Sequence, residues 1–451
     1  MSGAMHTLTP LEPGTRALVL GLGRTGLSCA RYLDRKGLEV RVADTRPQPP
    51  GLAALRASVP AAELRTGPLE AGLLDDVAQV VISPGLSLRE PVAREAAGRG
   101  LPVVGDIELF AREAQAPVAA VTGTNGKSTV TALLATLATA AGRRAVAGAN
   151  LGEPALDLLE RPVPDLYVLE LSSFQLETTH SLHAAAATVL NVSADHMDRY
   201  ESLAGYAAAK ARVFDGCGTA VVNADDPLVR VMPRPGQARL SFSLEDEHAD
   251  YFLAGEAEPM LASRGEPLLP LSALRIRGLH NAANALAALA MCEALGLPRG
   301  PVVDALPSFG GLPHRAQWVA DAAGVRYVDD SKGTNVGATV AAVAGMDGPL
   351  VLIAGGDGKN QDFAALRAAF RGKVRHAVLI GRDAPRLAAS LAGVCSTERA
   401  RDMPSAVRAA QAAARAGDTV LLSPACASLD MFRDYAHRGD EFVAAVRSLG
   451  Q

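Results

Sequence analysis

The sequence predicts an α/β protein built as three units in series, each a parallel sheet wrapped by helices. Three observations carry this. Short apolar runs alternate with helix-forming runs along the chain, the pattern of strands joined by helical crossovers. Two of the apolar runs end in a glycine loop that opens a helix, at Gly21–Gly26 and at Gly123–Lys127. The length of 451 residues accommodates roughly three domains of ordinary size.

In the first unit, Ala17–Leu20 reads as a strand, Thr25–Lys36 as a helix and Glu39–Val42 as a strand. Val77–Ser83 is a further apolar strand, and the charged run Arg89–Arg99 a helix. A second unit starts at Pro117. Its strands continue through Leu166–Leu171, Thr188–Val192 and Ala220–Asn223. A β-rich stretch broken by Pro and Gly runs to about Arg277, and Asn281–Leu295 is a strong helix. Pro307–Pro313 reads as a linker. Strands follow at Arg326–Val328, Leu350–Ala354, Ala377–Ile380 and Thr419–Leu422. No fixed-period repeat is present. The divisions fall at 1–105, 106–311 and 312–451.

Composition narrows the class. Apolar residues make up 49% and charged residues 20%, with a net charge of −4. That balance describes ordinary globular material and leaves no basic footprint for nucleic acid. Cys29, Cys217, Cys292, Cys395 and Cys426 are scattered, odd in number and lack any C-x-x-C. Such usage predicts reduced thiols in a cytoplasm. No apolar run reaches the roughly 18 residues of a membrane span. Met1–Arg16 has no charged region followed by an apolar one, so no secretion signal is expected.

The stretch Val118–Thr129 carries the most chemistry. An apolar run ends in Gly123-Thr124-Asn125-Gly126, and Lys127-Ser128-Thr129 opens a helix. In this layout backbone N–H groups and a helix N-terminus face phosphate, the lysine reaches the outer phosphates, and the hydroxyl holds Mg²⁺. Val121 stands where the common G-x-x-x-x-G-K-[ST] pattern has glycine. Gly21-Leu22-Gly23-Arg24-Thr25-Gly26 also follows a strand and opens a helix, and Asp44 ends the next strand. This is a dinucleotide fingerprint, but it equally suits another diphosphate such as a nucleotide sugar, or a plain structural turn. Ser83-Pro84-Gly85 ends a later strand at the same sheet edge.

Lysine usage sharpens the search. Of 44 basic residues only Lys36, Lys127, Lys210, Lys332, Lys359 and Lys373 are lysine. Where a generic cation suffices this chain uses arginine, so the lysines that remain point to chemistry a guanidinium cannot do. Lys332 and Lys359 each follow a strand, where two ammonium groups could clamp a dicarboxylate. Lys210 lies in an alanine-rich helical run. Glu170 ends a strand downstream of the phosphate loop, the place of a Mg²⁺ ligand in such folds. His196 follows another strand and is metal-capable, although a capping histidine is the plainer reading. His180 and His183, three apart, read as a helix face. Ser428 lies on a third strand-end loop.

Taken in order, these segments resemble the Mur ligases across essentially the whole chain. The resemblance rests on Gly-Asp-Ile-Glu-Leu-Phe at 105–110, Thr-Gly-Thr-Asn-Gly-Lys-Ser-Thr at 122–129 and Leu-Glu-Leu-Ser-Ser-Phe-Gln-Leu-Glu at 169–177. It continues in Asp-His-Met-Asp-Arg-Tyr at 195–200, Ala-Ala-Lys at 208–210, His-Asn-Ala-Ala-Asn-Ala at 280–285 and Gly-Leu-Pro-His-Arg at 311–315. Asp-Ser-Lys-Gly-Thr-Asn at 330–335 and Ser-Pro-Ala-Cys-Ala-Ser-Leu-Asp at 423–430 are similar to the branch that adds D-glutamate.

The resemblance implies a Rossmann-like N-terminal domain, a central P-loop ATPase-like parallel sheet and a C-terminal Rossmann-like domain. It implies ATP-dependent, ADP-forming joining of D-glutamate to UDP-N-acetylmuramoyl-L-alanine in peptidoglycan precursor synthesis. UDP-substrate would meet Gly23, Thr25, Asp44, Thr45, Arg46, Ser83, Gly85 and Asn150. ATP would meet Gly123, Thr124, Asn125, Gly126, Lys127, Ser128 and Thr129, with Asn281 and Asn284 at the adenine and Arg315 and Asp330 at phosphate and ribose. Ser128, Glu170, His196 and Lys210 would hold Mg²⁺ at two sites, Lys210 as a carbamate formed with CO₂. Lys127, His196 and Lys210 would be catalytic. D-glutamate would meet Lys332, Thr334, Lys359, Ser428 and Tyr435. Gly333 and Tyr435 depart from the usual Ala and Phe. The implied partners are small molecules, with no nucleic acid, no membrane and a cytoplasmic monomer. The competing readings are a nicotinamide-dependent oxidoreductase, a non-catalytic nucleotide-sugar sensor, and a sibling ligase adding another amino acid.

Overall fold

The computed structural model describes residues 11–346 and 348–449. The first ten residues, which carry most of the stretch read for a secretion signal, lie outside the described residues. Three sheets follow one another along the chain.

The first sheet has five parallel strands in the order Glu63–Thr66, Glu39–Asp44, Arg16–Leu20, Val77–Ile82, Val103–Val104. The strand order reverses at Arg16–Leu20, and a crevice at the strand ends follows from that reversal. The helix Arg24–Arg35 buries Gly26, Cys29, Ala30 and Leu33, the i, i+3, i+4, i+7 stripe that seats a helix on a sheet. Gly37, at φ 75°, follows its C-terminus.

The second sheet has nine strands. Val118–Thr122 lies between Leu166–Glu170 and Ala186–Val189, so the phosphate loop also leaves a reversal point. The strand expected at Thr188–Val192 is displaced to Ala186–Val189. Residues beyond it turn toward the loop instead, and Asn191 accepts and donates hydrogen bonds at Asn125. The helices Lys127–Ala140 and Leu279–Ala294 pack together, with alanines 282, 285, 287, 288 and 290 fully buried. The expected linker begins in a short 3₁₀ turn, Leu306–Ser308, and Leu306 and Phe309 are buried in this core.

The third sheet has six strands in the order Gln317–Ala322, Val325–Asp329, Thr419–Leu422, Leu350–Gly355, Val374–Ile380, Ser396–Arg399. The wholly parallel sheets expected from the alternation give way at two edges. Met260–Ser263 and Glu266–Pro270 are antiparallel, as are Gln317–Ala322 and Val325–Asp329. Each pair is closed by two residues at positive φ, Arg264-Gly265 and Ala323-Gly324, the backbone that matches strand twist in a tight hairpin.

His180 and His183 form no helix face. The helix Ser173–Glu177 stops before them, and the Thr178 and Thr179 hydroxyls donate back to the Gln175 carbonyl. Glu108 then accepts from the His180 and Ser181 N–H groups, which satisfies the coil.

One apolar core spans the first two sheets. It joins Leu33 and Val42 to Phe110, Tyr167 and Leu176, with Phe110 edge-on to Tyr167 at 5.1 Å. The two faces of the third sheet carry separate cores. Among the described residues no helix is long and apolar enough to cross a membrane.

Candidate active site

Three adjoining cavities hold most of the residues singled out from sequence. The first, about 450 Å³, sits at the strand ends of the N-terminal sheet. Its lining takes in Gly23, Thr25, Asp44, Thr45, Arg46, Ser83, Gly85 and Asn150. At Gly26 a Cβ would overlap the carbonyl oxygen of Gly21, so only glycine lets the helix start this close to the loop. Asp44 braces the loop from below. It accepts from Leu22 N at 2.8 Å and from Arg46 through N and Nε, at 2.9 and 2.8 Å. The Arg46 guanidinium beside it holds its carboxyl down at about 2. Both oxygens of Asp44 are thus engaged within the loop.

The second cavity, about 330 Å³, lies over the central phosphate loop. Lys127 Nζ donates to the carbonyls of Gly123 and Thr124 at 2.8 and 2.9 Å. Lys210, 1% exposed, donates to the same Gly123 carbonyl at 2.8 Å and lies 4.4 Å over the Tyr206 ring. Burial lowers both lysines, and for Lys210 the neighbouring Lys127 charge adds to the effect. Lys210 falls well below the ordinary lysine range. Glu170 Oε1 accepts from Asn150 Nδ2, while Oε2 is buried with no hydrogen-bond partner among the described residues.

His196 occupies the left-handed backbone region at φ 56°, a strained placement for a non-glycine residue. Its ring meets Phe174 edge-on at 4.9 Å. Burial lowers its pKa to about 4 despite the Asp195 carboxylate 3.6 Å away, so the imidazole is neutral at pH 7. Ser128, Glu170, His196 and Lys210 all line this cavity. Among the described residues no three His, Cys, Asp or Glu side chains form a metal cage by themselves. The donor set fits a cation that keeps waters and takes phosphate oxygens, as Mg²⁺ does, and the unpartnered Glu170 Oε2 is the oxygen available to it.

The third cavity, about 310 Å³, takes in Asn125, Gly126, Thr129, Asn281, Asn284, Arg315 and Asp330. Asn284 Nδ2 donates to Asn281 Oδ1 at 3.0 Å, and Asn281 Nδ2 donates to the Arg277 carbonyl at 2.8 Å. Burial pushes the Asp330 carboxyl up to about 7. Arg315 reaches across from the C-terminal unit and donates to Ser128 Oγ at 2.6 Å.

Other polar contacts join the C-terminal unit to the central one. Lys359 Nζ donates to Asp195 Oδ1 at 3.1 Å, and Asn335 Nδ2 donates to Asp195 Oδ2 and Asn125 Oδ1, both at 3.1 Å. Burial raises the Asp195 carboxyl, but Lys359 and His196 outweigh it and hold the group below its ordinary value. Lys332, Thr334 and Lys359 line the central cavity. Tyr435 lies outside that lining yet stacks under Lys332, 3.9 Å from its ammonium. Ser428 is buried and lines none of the three cavities, and Gly123 contributes only through its carbonyl.

Sequence reasoning assigned no role to several residues that build this site. Asp195 and Asn335 form the polar bridge just described. Gln175 lines the N-terminal cavity. Arg199 donates to the Pro84 carbonyl at 2.7 Å and stacks 3.8 Å over Phe174, tying the Ser83–Gly85 strand end to the helix Ser173–Glu177. Arg438 is 0% exposed and donates to Ser331 Oγ, the Ser331 carbonyl and the Cys426 carbonyl, joining two strand-end loops. Asn335 was open to discovery, since Asn before an apolar run is a helix N-cap signal, and it caps Val336–Ala344. Nothing local marks Arg438, which sits in an ordinary amphipathic run.

Comparison with known proteins follows the same three-part division. Residues 15–105 match the family model described as Mur ligase MurD-like, N-terminal domain. Residues 121–292 match the Mur ligase middle domain, and 314–426 the Mur ligase, glutamate ligase domain. A UDP-N-acetylmuramoylalanine–D-glutamate ligase of Nitrosococcus oceani is 53% identical over 448 residues, covering 98% of each chain. The protein of that name from Pseudomonas aeruginosa is 50% identical, covering 96% of this chain and 98% of that one. Among solved structures, a pseudomurein peptide ligase type C from Methanothermus fervidus superposes with TM-score 0.63 at 16% identity, covering 97% of this chain and 100% of that one. A UDP-N-acetylmuramate-alanine ligase from Thermotoga maritima gives 0.61 at 20% identity, covering 96% and 99%. At these identities the structures speak for the fold alone.

Proposed function

The chain belongs to the Mur ligase family, and we propose that it joins D-glutamate to UDP-N-acetylmuramoyl-L-alanine at the expense of ATP, a step of peptidoglycan precursor synthesis. The observation that carries this reading is the convergence of the three cavities. The N-terminal and central cavities share Pro84, Gly85 and Asn150. The central and third cavities share Asn125, Gly126, Arg315 and Lys332. A nucleotide sugar entering from one side and ATP from the other would meet over Lys127, Glu170, His196 and Lys210. A nicotinamide reading of the first loop leaves that cluster without a task.

A carboxylate is a poor electrophile, so it must be activated. In this reading Asn281 and Asn284 take the adenine, Asp330 the ribose, and the Gly123–Thr129 loop the phosphates. Lys127 exchanges its loop carbonyls for phosphate oxygens, and Arg315 adds a second positive charge where negative charge develops. The L-alanyl carboxylate oxygen attacks the terminal phosphorus, the bond to the bridging oxygen breaks, and ADP leaves an acyl phosphate. Mg²⁺, bound through Ser128, Glu170, His196 and Lys210 and by phosphate oxygens, would neutralise charge on the nucleotide.

Lys210 suits that task only as an anion. Its depressed pKa makes the neutral amine accessible. The nitrogen lone pair forms an N–C bond to CO₂, one C–O π pair moves to oxygen, and a proton leaves to solvent, giving a carbamate. Lys332, Thr334 and Lys359, together with Ser428 and Tyr435, would receive D-glutamate and hold its carboxylates. The neutral amine of D-glutamate then adds to the acyl carbon, the nitrogen gives up a proton to solvent, and the tetrahedral adduct expels phosphate to leave the amide. We place the protein in the cytoplasm as a monomer, with domain divisions at 1–105, 106–311 and 312–451.

The test is phosphate release from ATP with Mg²⁺ and UDP-N-acetylmuramoyl-L-alanine, with and without D-glutamate. Release that requires D-glutamate, and neither L-glutamate nor other amino acids, supports the reading. Release with a different amino acid moves the chain to a sibling activity, and no release overturns the reading.

A further inference from the structure

Gln175 belongs to the central unit's wall of the N-terminal cavity, as does Asn150. Both ends of its side-chain amide are specified. Oε1 accepts from Ser172 N and from Ser172 Oγ, each at 3.1 Å, in the capping box that starts the helix Ser173–Glu177. The oxygen therefore faces the helix start, and Nε2 faces away from it. Nε2 has two hydrogens, and one goes to Asp106 Oδ2 at 2.9 Å.

Asp106 is an expensive residue for a structural link. It is 2% exposed at the first position of the helix Asp106–Ala111, where the chain passes from the first sheet to the second. Its second oxygen, Oδ1, is buried and makes no full hydrogen bond among the described residues, although the backbone N–H groups of Asp106 and Ile107 help hold the charge of the carboxyl. A neutral side chain would bridge the junction without burying charge or leaving an acceptor unmade. What a carboxylate does better is accept strongly from one particular N–H and so hold an amide in a single orientation.

We propose that Asp106 is a positioning residue for the nucleotide-sugar substrate: it locks the Gln175 amide so that the second Nε2 hydrogen is presented to the N-terminal cavity. That hydrogen would meet an uncharged acceptor oxygen on the sugar portion, a hydroxyl, ether or amide carbonyl. The inference rests on the reading of this cavity as the UDP-substrate pocket. Burial pushes the Asp106 carboxyl up to about 6, which leaves it mainly ionised and accepting at neutral pH.

The test uses the full chain carrying Asp106→Ala, Asp106→Asn, Gln175→Glu and the pair Asp106→Asn with Gln175→Glu. Calorimetric binding of UDP-N-acetylmuramoyl-L-alanine, steady-state kinetics and thermal melting are measured for each. Asp106→Ala should raise the KM for the UDP-substrate about tenfold, one hydrogen bond's worth, with kcat and the KM for ATP within about twofold. Asp106→Asn, which keeps an acceptor, should restore most of that loss. Gln175→Glu sets two carboxylates together and should lower both melting temperature and substrate affinity.

The paired variant is decisive. Its hydrogen bond re-forms with donor and acceptor exchanged, so melting recovers. The glutamate has no hydrogen for the cavity, so substrate affinity stays low. Recovery of both overturns the proposal and leaves a junction contact only. An unchanged UDP-substrate KM in Asp106→Ala, or an equal rise in the KM for ATP, also overturns it. Should Asp106→Ala fail to fold, the paired variant carries the test by itself. A wild-type protein that binds no UDP-substrate overturns the functional reading itself, whereas wild-type binding with indifferent variants overturns only the role of Asp106.

Discussion

The two glycine loops are alike in backbone and unlike in chemistry. Each leaves a strand at which its sheet reverses order, and each turns through a glycine in the left-handed region, Gly21 at φ 88° and Gly126 at φ 85°. Each opens a helix whose free N–H groups suit an anion. Around the first loop the charges are satisfied locally, with Asp44 paired to Arg46 and held at about 2. Around the second, Lys127 and Lys210 share one carbonyl, Glu170 keeps an unpartnered oxygen, and His196 is held neutral. In the proposed function, loop geometry supplies recognition of phosphate, and reactivity comes from buried ionisable groups that later segments bring to only one of the loops.

The sharpest way to break this comparison is to remove what only the second loop has. Lys127→Ala should lower kcat by about 10³-fold or more, since a positioned cation on a transferring phosphoryl group is worth that much. Nucleotide-sugar binding, measured by calorimetry, should stay unchanged. Comparable loss of that binding would mean the two loops act as one site.

Lys210→Arg comes next. The charge is kept, but a guanidinium does not form the carbamate, and we expect turnover to fall by about 10²-fold or more. Added bicarbonate should stimulate the CO₂-depleted wild type and leave the variant unaffected. Near-normal turnover in the variant would remove the carbamate from the mechanism.

A smaller effect belongs to the first loop. Gly26→Ala forces a methyl against the Gly21 carbonyl, and an overpacked position of this kind costs about 1–3 kcal/mol. The KM for the UDP-substrate should rise about tenfold, with the KM for ATP unchanged. Equal changes in both would show that the two loops are mechanically coupled.

How much of this was legible in sequence depended on the distance over which the signal acts. Both glycine loops, the strands before them and Glu170 were readable, because strand, turn and helix start are local patterns within a few residues. The hairpin edges were missed because Arg264-Gly265 and Ala323-Gly324 are short turns without the Asn-Gly signal. His180 and His183 were misread because a three-residue spacing says nothing about Glu108, which holds that coil from 72 residues upstream. The links made by Arg438 and Asp106 were invisible for the same reason. Their partners, Ser331 and Gln175, are 107 and 69 residues away. The lysine bias pointed to Lys127, Lys210, Lys332 and Lys359, which the fold gathers around one cavity, since scarcity is a property of the whole chain rather than of a window.

Lys332 gives the finest test of whether buried charge, rather than loop shape, governs the central site. Burial lowers its pKa to about 8, with the Arg315 charge adding to the effect. Below that value the ammonium is charged and can hold a D-glutamate carboxylate; above it the charge is lost. The apparent dissociation constant for D-glutamate should therefore rise about tenfold between pH 7 and pH 9. Stability should move the other way. Between about 8 and the ordinary lysine value of 10.5 the unfolded chain holds the proton and the folded one does not. Stability then increases with pH across that window, the reverse of the affinity. D-glutamate's own ammonium also titrates in alkali, so Lys332→Arg is the control, because its guanidinium keeps the charge throughout. A wild-type slope no steeper than that of Lys332→Arg would assign the pH dependence to the substrate, and Lys332 would then hold its proton like an ordinary surface lysine.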